Sequence, residues 1–150
     1  MTQSPPLHLL AAFNDAFQLS PEHILQSPGY DLWVAAVVPA NNLYIIHAPA
    51  MGNYVKFSWQ SAKKQQTIHK RPLPKWSRYA AGIIYHLCGN GLDVKGIQAV
   101  ILGNEMPGVR YDYAIGVTMA ALWHTILGKP YTSEQLIELV DHVRRVYIEG

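Results

Sequence analysis

Three features that would assign this chain to a special class are missing from its sequence. The only cysteine is Cys88, so a disulfide framework is excluded. No apolar run approaches the roughly 18 residues of a membrane-spanning helix, and the longest run, 32–40, suits a buried strand. The first residues lack the basic and apolar stretches of a secretory signal. We therefore expect a cytoplasmic protein that is not attached to a membrane.

Charge is also sparse and nearly balanced. Charged residues make up 15% of the chain, the formal net charge is +2 and the isoelectric point is near 8.7. These values are too mild to indicate nucleic acid or an anionic membrane as a partner. Apolar residues make up 49% of the 150 residues, which excludes a disordered chain. We expect one domain, 1–150, with a core of its own.

Hydrophobic periodicity and turn residues divide the chain into helices and strands. The predicted helices are one that starts at 9 and ends near Ser20-Pro21, then 75–88, 114–127 and 133–147. The predicted strands are 23–27, 31–38, 43–47, 54–59 and 98–102. The first four strands follow one another through turns and predict a meander. Thr132, followed by Gln135 in the first turn, predicts a helix cap. Strands that mostly precede helices indicate the α+β class.

Several short motifs occur in the order in which one known family has them. They are Ser27-Pro28-Gly29, the segment 41–46, Trp76-x-x-Tyr79-x-x-Gly82, the strand within 96–104, Pro107 and the helix 132–139. In order and spacing they resemble the N-terminal half of galactokinases, members of the GHMP superfamily of small-molecule kinases. The resemblance covers nearly all of this chain and about half of the family's length. It implies a mixed β-sheet with helices packed on one face.

The resemblance also implies a site for phosphoryl transfer, which requires donors that hold the nucleotide phosphates. The family's loop, P-x-G-x-G-L-S-S-S, is expected here at Pro107, Gly108, Arg110 and Asp112. Val109 and Tyr111 stand where the family has glycines. Both side chains resist the left-handed backbone that glycine permits. The hydroxyl positions of the loop carry Tyr113, Ala114 and Ile115.

The family's sugar-binding residues are replaced as well. Tyr30 stands where the family has an arginine, and the apolar stretch 35–39 stands where it has G-E-H-x-D. A specific sugar site needs buried donors and acceptors that match the sugar hydroxyls. We interpret 32–38 as a core strand that needs no ligand. The family's catalytic aspartate lies beyond the last helix that matches, so we assign no catalytic and no sugar-binding residue.

Asp112 and Arg110 allow two interpretations each. Asp112 would repel bound phosphates, and we interpret it as the cap of the following helix. Arg110 would supply a cation for phosphate, although an exposed loop arginine is usually solvated. No metal site is expected. No two histidines have the H-x-H or H-x-x-x-H spacing of metal ligands in the sequence, and Glu138 with His142 would supply only two ligands. We interpret Cys88 as a core thiol.

The run Lys63-Lys64 with His69-Lys70-Arg71 is the strongest basic cluster. It would suit phosphate or nucleic acid, but no aromatic residue stands beside it in sequence, and nucleic-acid sites usually have such a platform. We therefore expect a solvated loop and no nucleic-acid partner. The four tryptophans fall at helix and strand positions where core packing is the expected role.

Two functions remain. The first is a galactokinase-like domain that has lost catalysis and serves as a binding or assembly module, with no cofactor. The second is half of an ATP- and Mg²⁺-dependent sugar kinase whose C-terminal domain is a separate chain. For the first we expect a homodimer or a complex with a separate polypeptide, with Tyr111 and Tyr113 at the interface. The small-molecule ligand is not identified by the sequence.

Overall fold

The computed structural model describes residues 5–91 and 96–150 and contains all the helices and strands that the sequence predicts. The helices are α1 (Leu7–Phe17), α2 (Trp59–Lys63), α3 (Arg78–Gly89), α4 (Val109–Ile126) and α5 (Ser133–Val143), and the strands are β1 (His23–Gln26), β2 (Leu32–Val37), β3 (Tyr44–Ala48), β4 (Asn53–Phe57) and β5 (Ile97–Gly103). Short 3-10 turns occupy Pro49–Met51 and Lys75–Ser77, and Arg144–Ile148 forms a π-helical turn. The short helix α2 was not predicted. It begins at the capping box that Ser58 forms with Ser61.

The five strands form one mixed sheet in the order β1-β2-β5-β3-β4. Strand β5 runs parallel to β3 and antiparallel to β2. The mixed sheet is confirmed, but the predicted meander of the first four strands is wrong, because β5 separates β2 from β3. The reason is burial: β2 and most of β5 are covered on both faces, which favours the centre of a sheet over its edge.

The helices lie on both faces of this sheet. Helices α3, α4 and α5 pack with α2 over the larger core, which contains Trp76, Ile83 and Trp123. This agrees with the expectation of helices on one face. Helix α1 is the exception, since its Leu9 and Phe13 form a smaller core on the opposite face with residues of β2 and β5. In the described part of the chain, no helix is long and apolar enough to cross a membrane.

The predicted cap of α5 is confirmed and fixes where this helix begins. The hydroxyl of Thr132 accepts a hydrogen bond from the backbone N–H of Gln135 at 3.2 Å, and the Gln135 side chain accepts one from the Thr132 N–H at 2.9 Å. The two bonds satisfy two donors that a helix leaves free at its start.

Loss of this cap should weaken the domain measurably. We expect Thr132→Ala to lower the free energy of unfolding by about 1 kcal/mol, as other cap removals do. Urea unfolding followed by circular dichroism measures the difference. Thr125→Ala is the control, because the Thr125 hydroxyl bonds within α4 to Ala121 at 2.9 Å and caps nothing. Equal losses in both variants would contradict the role of the cap.

Candidate functional site

The segment that matches the family's phosphate loop is the start of α4. This helix begins at Val109, five residues earlier than predicted, and Gly108 is its N-cap with φ 147° and ψ −165°. Such a backbone is open to glycine and strained for other residues. Because α4 begins at Val109, both Val109 and Tyr111 are helical, although they stand where the family has loop glycines.

The predicted cap role of Asp112 is wrong. No side chain caps α4, and Asp112 lies inside its first turn, where its own N–H donates to the Gly108 carbonyl at 3.0 Å. The prediction failed because the helix was expected to begin after Asp112, at Ala114. A carboxylate in the first turn still lies near the positive end of the helix dipole.

Tyr111 is part of the core. Its side chain is 1% exposed and packs in the large hydrophobic cluster. Burial raises the pKa of Tyr111 to about 12, and its hydroxyl has no hydrogen-bond partner. Because this ring anchors the first turn of α4 to the core, the segment cannot open into a phosphate loop without exposing it.

Tyr113 also serves the fold of its own chain. Its hydroxyl donates to Asp141 of α5 at 3.1 Å, and its ring lies edge-on to Tyr79 of α3 at 5.7 Å between centroids. Burial and the Asp141 hydrogen bond raise the pKa of Tyr113 to about 12. The predicted interface role is wrong for Tyr111, which is 1% exposed. For the half-buried Tyr113 it stays a prediction.

The Arg110 side chain contacts two residues of its own chain, Tyr30 and Glu105. Its guanidinium lies 4.7 Å from the ring centre of Tyr30, a cation–π distance. The Nε of Arg110 lies 3.3 Å from the Glu105 carboxylate. A phosphate at this position would compete with a carboxylate that already holds the guanidinium. The structure thus brings Arg110, the possible phosphate cation, beside Tyr30, which stands where the family has an arginine.

Arg110 and Tyr30 close a shallow groove at the position of the expected site. The groove has a volume of about 220 Å³, and its walls include Pro28, Gly29 and Ile137. Of the described residues that line it, only Arg110 is charged. Magnesium prefers carboxylate oxygens as protein ligands, and this groove contributes none. Pro107, the remaining residue of the expected loop, precedes the N-cap.

The stretch in place of the sugar-binding motif is a buried strand. Ala35 and Ala36 are inaccessible to solvent and Val37 is 6% exposed, all within β2. Their backbone groups pair with β1 and β5. The interpretation of 32–38 as a core strand is confirmed for Leu32–Val37, whereas Val38 is 36% exposed and lies beyond the strand.

A cavity of about 450 Å³ lies against the C-terminal half of α3. It was not predicted from the sequence. Trp59, Tyr85, His86 and His142 are among its lining residues. The two imidazole rings lie 4.8 Å apart between centroids. Burial, and to a smaller extent the neighbouring His142, lower the pKa of His86. No third potential metal ligand joins them among the described residues. The pair could not be found from sequence because the fold brings α3 and α5 together.

The fold defines a class: the chain has the fold of the GHMP small-molecule kinases. The galactokinase of Lactococcus lactis, solved with galactose, superposes with a TM-score of 0.73 at 14% identity, over 95% of this chain and 42% of that chain. The mevalonate kinase of Methanococcus jannaschii gives a TM-score of 0.56 at 10% identity, over 76% of this chain and 36% of that chain. At these identities the likeness is one of fold.

Whole-sequence comparison does not detect this likeness. No family profile matches the chain, and no curated protein sequence matches it. The chain spans less than half the length of the two kinase structures. The backbone arrangement is thus shared with these kinases, whereas the residues at the expected site differ from the motif that the family carries.

The altered environment of Asp112 leads to a prediction about pH. Burial raises the pKa of Asp112, and Lys75 only partly opposes this. A raised pKa in the folded state means that the folded protein keeps a proton that the unfolded chain has released. The stability contributed by the protonated group is therefore present in acid and lost as the pH rises through the folded pKa.

We expect Asp112→Asn to raise the melting temperature at neutral pH. The gain should disappear near pH 3, roughly one unit below the ordinary carboxyl pKa, where Asp112 is protonated in both states. Thermal melts at several pH values test this, with Glu134→Gln in the first turn of α5 as a matched control. A lower melting temperature of the Asp112→Asn protein at neutral pH would contradict the prediction and restore a stabilising role for the charge.

Proposed function

We propose that this chain is a GHMP-fold domain that does not transfer phosphate and serves as a binding or assembly module. One observation carries the proposal: the expected phosphate loop is a helix whose first turn is anchored by the buried Tyr111. The cradle of backbone donors that glycines form around phosphates needs an open loop. We expect neither ATP nor Mg²⁺ to be a cofactor.

The alternative is an ATP-dependent sugar kinase assembled from two chains. The limited share of the kinase structures that this chain covers is compatible with it. It requires Arg110 to leave Tyr30 and Glu105, and it requires a sugar site built without the residues of the buried strand β2. We favour the non-catalytic module because the first change would break the contacts of Arg110, and because the buried strand β2 offers no polar side chain to a sugar.

Exposed apolar side chains beside the groove support a role in assembly. Val109 is 86% exposed, Met106 79% and Ile137 46%. Ile137 lines the groove with Arg110. The other two are neighbours of the Arg110–Glu105 ion pair in sequence: Val109 precedes Arg110, and Met106 follows Glu105. Apolar side chains grouped in this way are typical of interaction surfaces. We propose that a second copy, or a separate polypeptide, covers this surface, a two-fold homodimer being the commonest solution.

Light scattering on the tag-free protein at micromolar concentrations tests the assembly. We expect a dimer mass, and a monomer mass for Val109→Glu. Leu7→Glu is the matched control, because Leu7 is 83% exposed on α1, on the other face of the sheet. A monomer at every concentration, with no partner recovered from the native lysate, would end the assembly hypothesis. Dissociation by both variants would show that the Val109 surface is not the interface.

A further inference from the structure

The modest net charge conceals a strong separation of charge along the chain. Between Asp31 and Asp93 the sequence contains no aspartate and no glutamate. Within that stretch seven basic residues occur, namely Lys56, Lys63, Lys64, Lys70, Arg71, Lys75 and Arg78. This stretch therefore supplies cations with no carboxylate close to them in sequence, and the fold decides which of them remain without one in space.

Two of these seven side chains, Lys56 and Arg71, share one groove with His69. It has a volume of about 660 Å³ and lies between the edge strand β4 and the turn 67–71, with Lys56, His69 and Arg71 among its lining residues. Among the residues that the structure describes, no aspartate or glutamate lines it. Among the described residues, neither Lys56 nor Arg71 forms an ion pair with a carboxylate. We refer to this feature as the β4 groove.

The turn that carries Arg71 is held in place. The backbone N–H of Thr67 donates to the Arg71 carbonyl at 2.8 Å, and the Thr67 hydroxyl accepts from the N–H of Arg71 at 3.3 Å. The N–H of Ile68 donates to the Lys56 carbonyl at 3.1 Å, which fastens the turn to β4. The wall of the β4 groove that Arg71 provides is therefore ordered by hydrogen bonds.

An aromatic ring stands in the same groove. Tyr54 is 55% exposed, and its ring stacks on His47 of the neighbouring strand at 5.0 Å with an interplanar angle of 15°. Tyr54 and Lys56 are two residues apart on β4, so they point to the same side of the sheet about 7 Å apart along the strand. The stack on His47 holds a large apolar surface in solvent beside cations.

We propose that the β4 groove binds single-stranded nucleic acid, with phosphates on Lys56 and Arg71 and a base stacked on Tyr54. An exposed ring beside unpaired cations in a groove is the combination that such strands require. A duplex has its base faces covered by stacking and would leave Tyr54 unused. The expectation of no nucleic-acid partner rested on the lack of an aromatic neighbour of this basic run, and the fold supplies that neighbour from β4.

Fluorescence anisotropy with labelled oligouridylate and oligothymidylate of about 12 nucleotides tests the proposal. At low salt we expect saturable binding with a dissociation constant of about 1–100 µM that weakens as salt rises. Lys56→Glu with Arg71→Glu should weaken binding at least about tenfold and reduce the salt dependence. Tyr54→Ala should weaken it at least about fivefold and leave the salt dependence unchanged, because it removes stacking and no charge.

Lys129→Glu with Arg145→Glu is the matched control, since it makes the same change in net charge on exposed residues outside the β4 groove. Thermal melts confirm that each variant folds. Binding is expected to survive in this control. The proposal is overturned by an absence of saturable binding at low salt or by equal loss in the control pair. It is also overturned if Tyr54→Ala changes nothing while duplex DNA, heparin or anionic vesicles bind as tightly.

This surface is separate from the start of α4. The β4 variants should leave the light-scattering mass unchanged, and Val109→Glu should leave oligonucleotide binding per chain unchanged. Failure of one proposal is therefore distinguishable from failure of the other.

Discussion

Trp123→Ala is expected to lower the free energy of unfolding by about 3–5 kcal/mol, the range found for truncating buried aromatic residues. Trp123 is 1% exposed near the end of α4, and its ring meets Tyr44 of β3 edge-on at 6.3 Å between centroids. It therefore joins the helix that replaces the phosphate loop to the centre of the sheet. Since domains of this kind are stable by about 5–15 kcal/mol, the variant should lose a large part of its stability.

Urea unfolding measures this loss, and two further variants test its cause. Trp123→Phe should lose less, because it keeps a ring in the core and removes an indole N–H that has no partner. Trp59→Ala should also lose less, because Trp59 is only partly buried and stacks on Tyr85 at 6.1 Å. If Trp123→Ala were no more harmful than Trp59→Ala, the contact between α4 and the sheet would not be a main source of stability.

Gly82→Ala should destabilise the domain by about 1–3 kcal/mol, the usual cost of overpacking a core. Gly82 lies on α3 where α5 and the following π-helical turn approach it. An added Cβ would lie 2.4 Å from Cγ1 of Val143 and 2.6 Å from Cδ1 of Tyr147. Tyr147 is held by the hydrogen bond from its hydroxyl to the Ala62 carbonyl, so its ring has little freedom to move away.

Gly89→Ala on the same helix is the control for this prediction. A Cβ at Gly89 meets no atom within 4 Å, so only the better helix propensity of alanine remains, and stability should stay the same or rise. Val143→Ala in the Gly82→Ala background should recover part of the loss by removing the nearer obstacle. Equal effects at Gly82 and Gly89, or an absence of coupling between Gly82 and Val143, would contradict the packing argument.

Local signals in the sequence were sufficient for most of the helices and strands. The cap at Thr132 and the alternating runs of β3 and β4 are short-range patterns, and the structure contains each of them. The order of the strands was not accessible in this way. That β5 inserts between β2 and β3 depends on which strands need cover on both faces, a property of the whole sheet. The packing of α1 on the opposite face has the same origin.

At the candidate site the sequence showed which residues were lost but not what replaced them. The helical spacing of Tyr111, Ala114, Ile115 and Thr118 was present in the sequence and would have extended α4 toward its true start. The expectation of a loop, taken from the resemblance, concealed that signal. The contact of Arg110 with Tyr30 joins positions 80 residues apart, so no local sequence pattern predicts it.

The β4 groove shows the same limit for charge. The basic run was visible in the sequence, whereas its aromatic neighbour was not, because Tyr54 lies on β4 and reaches the turn 67–71 only after folding. Net charge averaged over the chain also concealed the separation between the acidic and basic segments. A charge profile along the sequence would have revealed that part of the signal.

The central claim, that the start of α4 can no longer hold a nucleotide, is tested most directly by isothermal calorimetry with ATP and Mg²⁺ on the wild-type chain. An active GHMP kinase titrated under the same conditions is the positive control. The account predicts no binding tighter than the millimolar range, equivalent to about 4 kcal/mol. Micromolar binding that Arg110→Ala abolishes would show that the phosphate site survives, and would contradict the account.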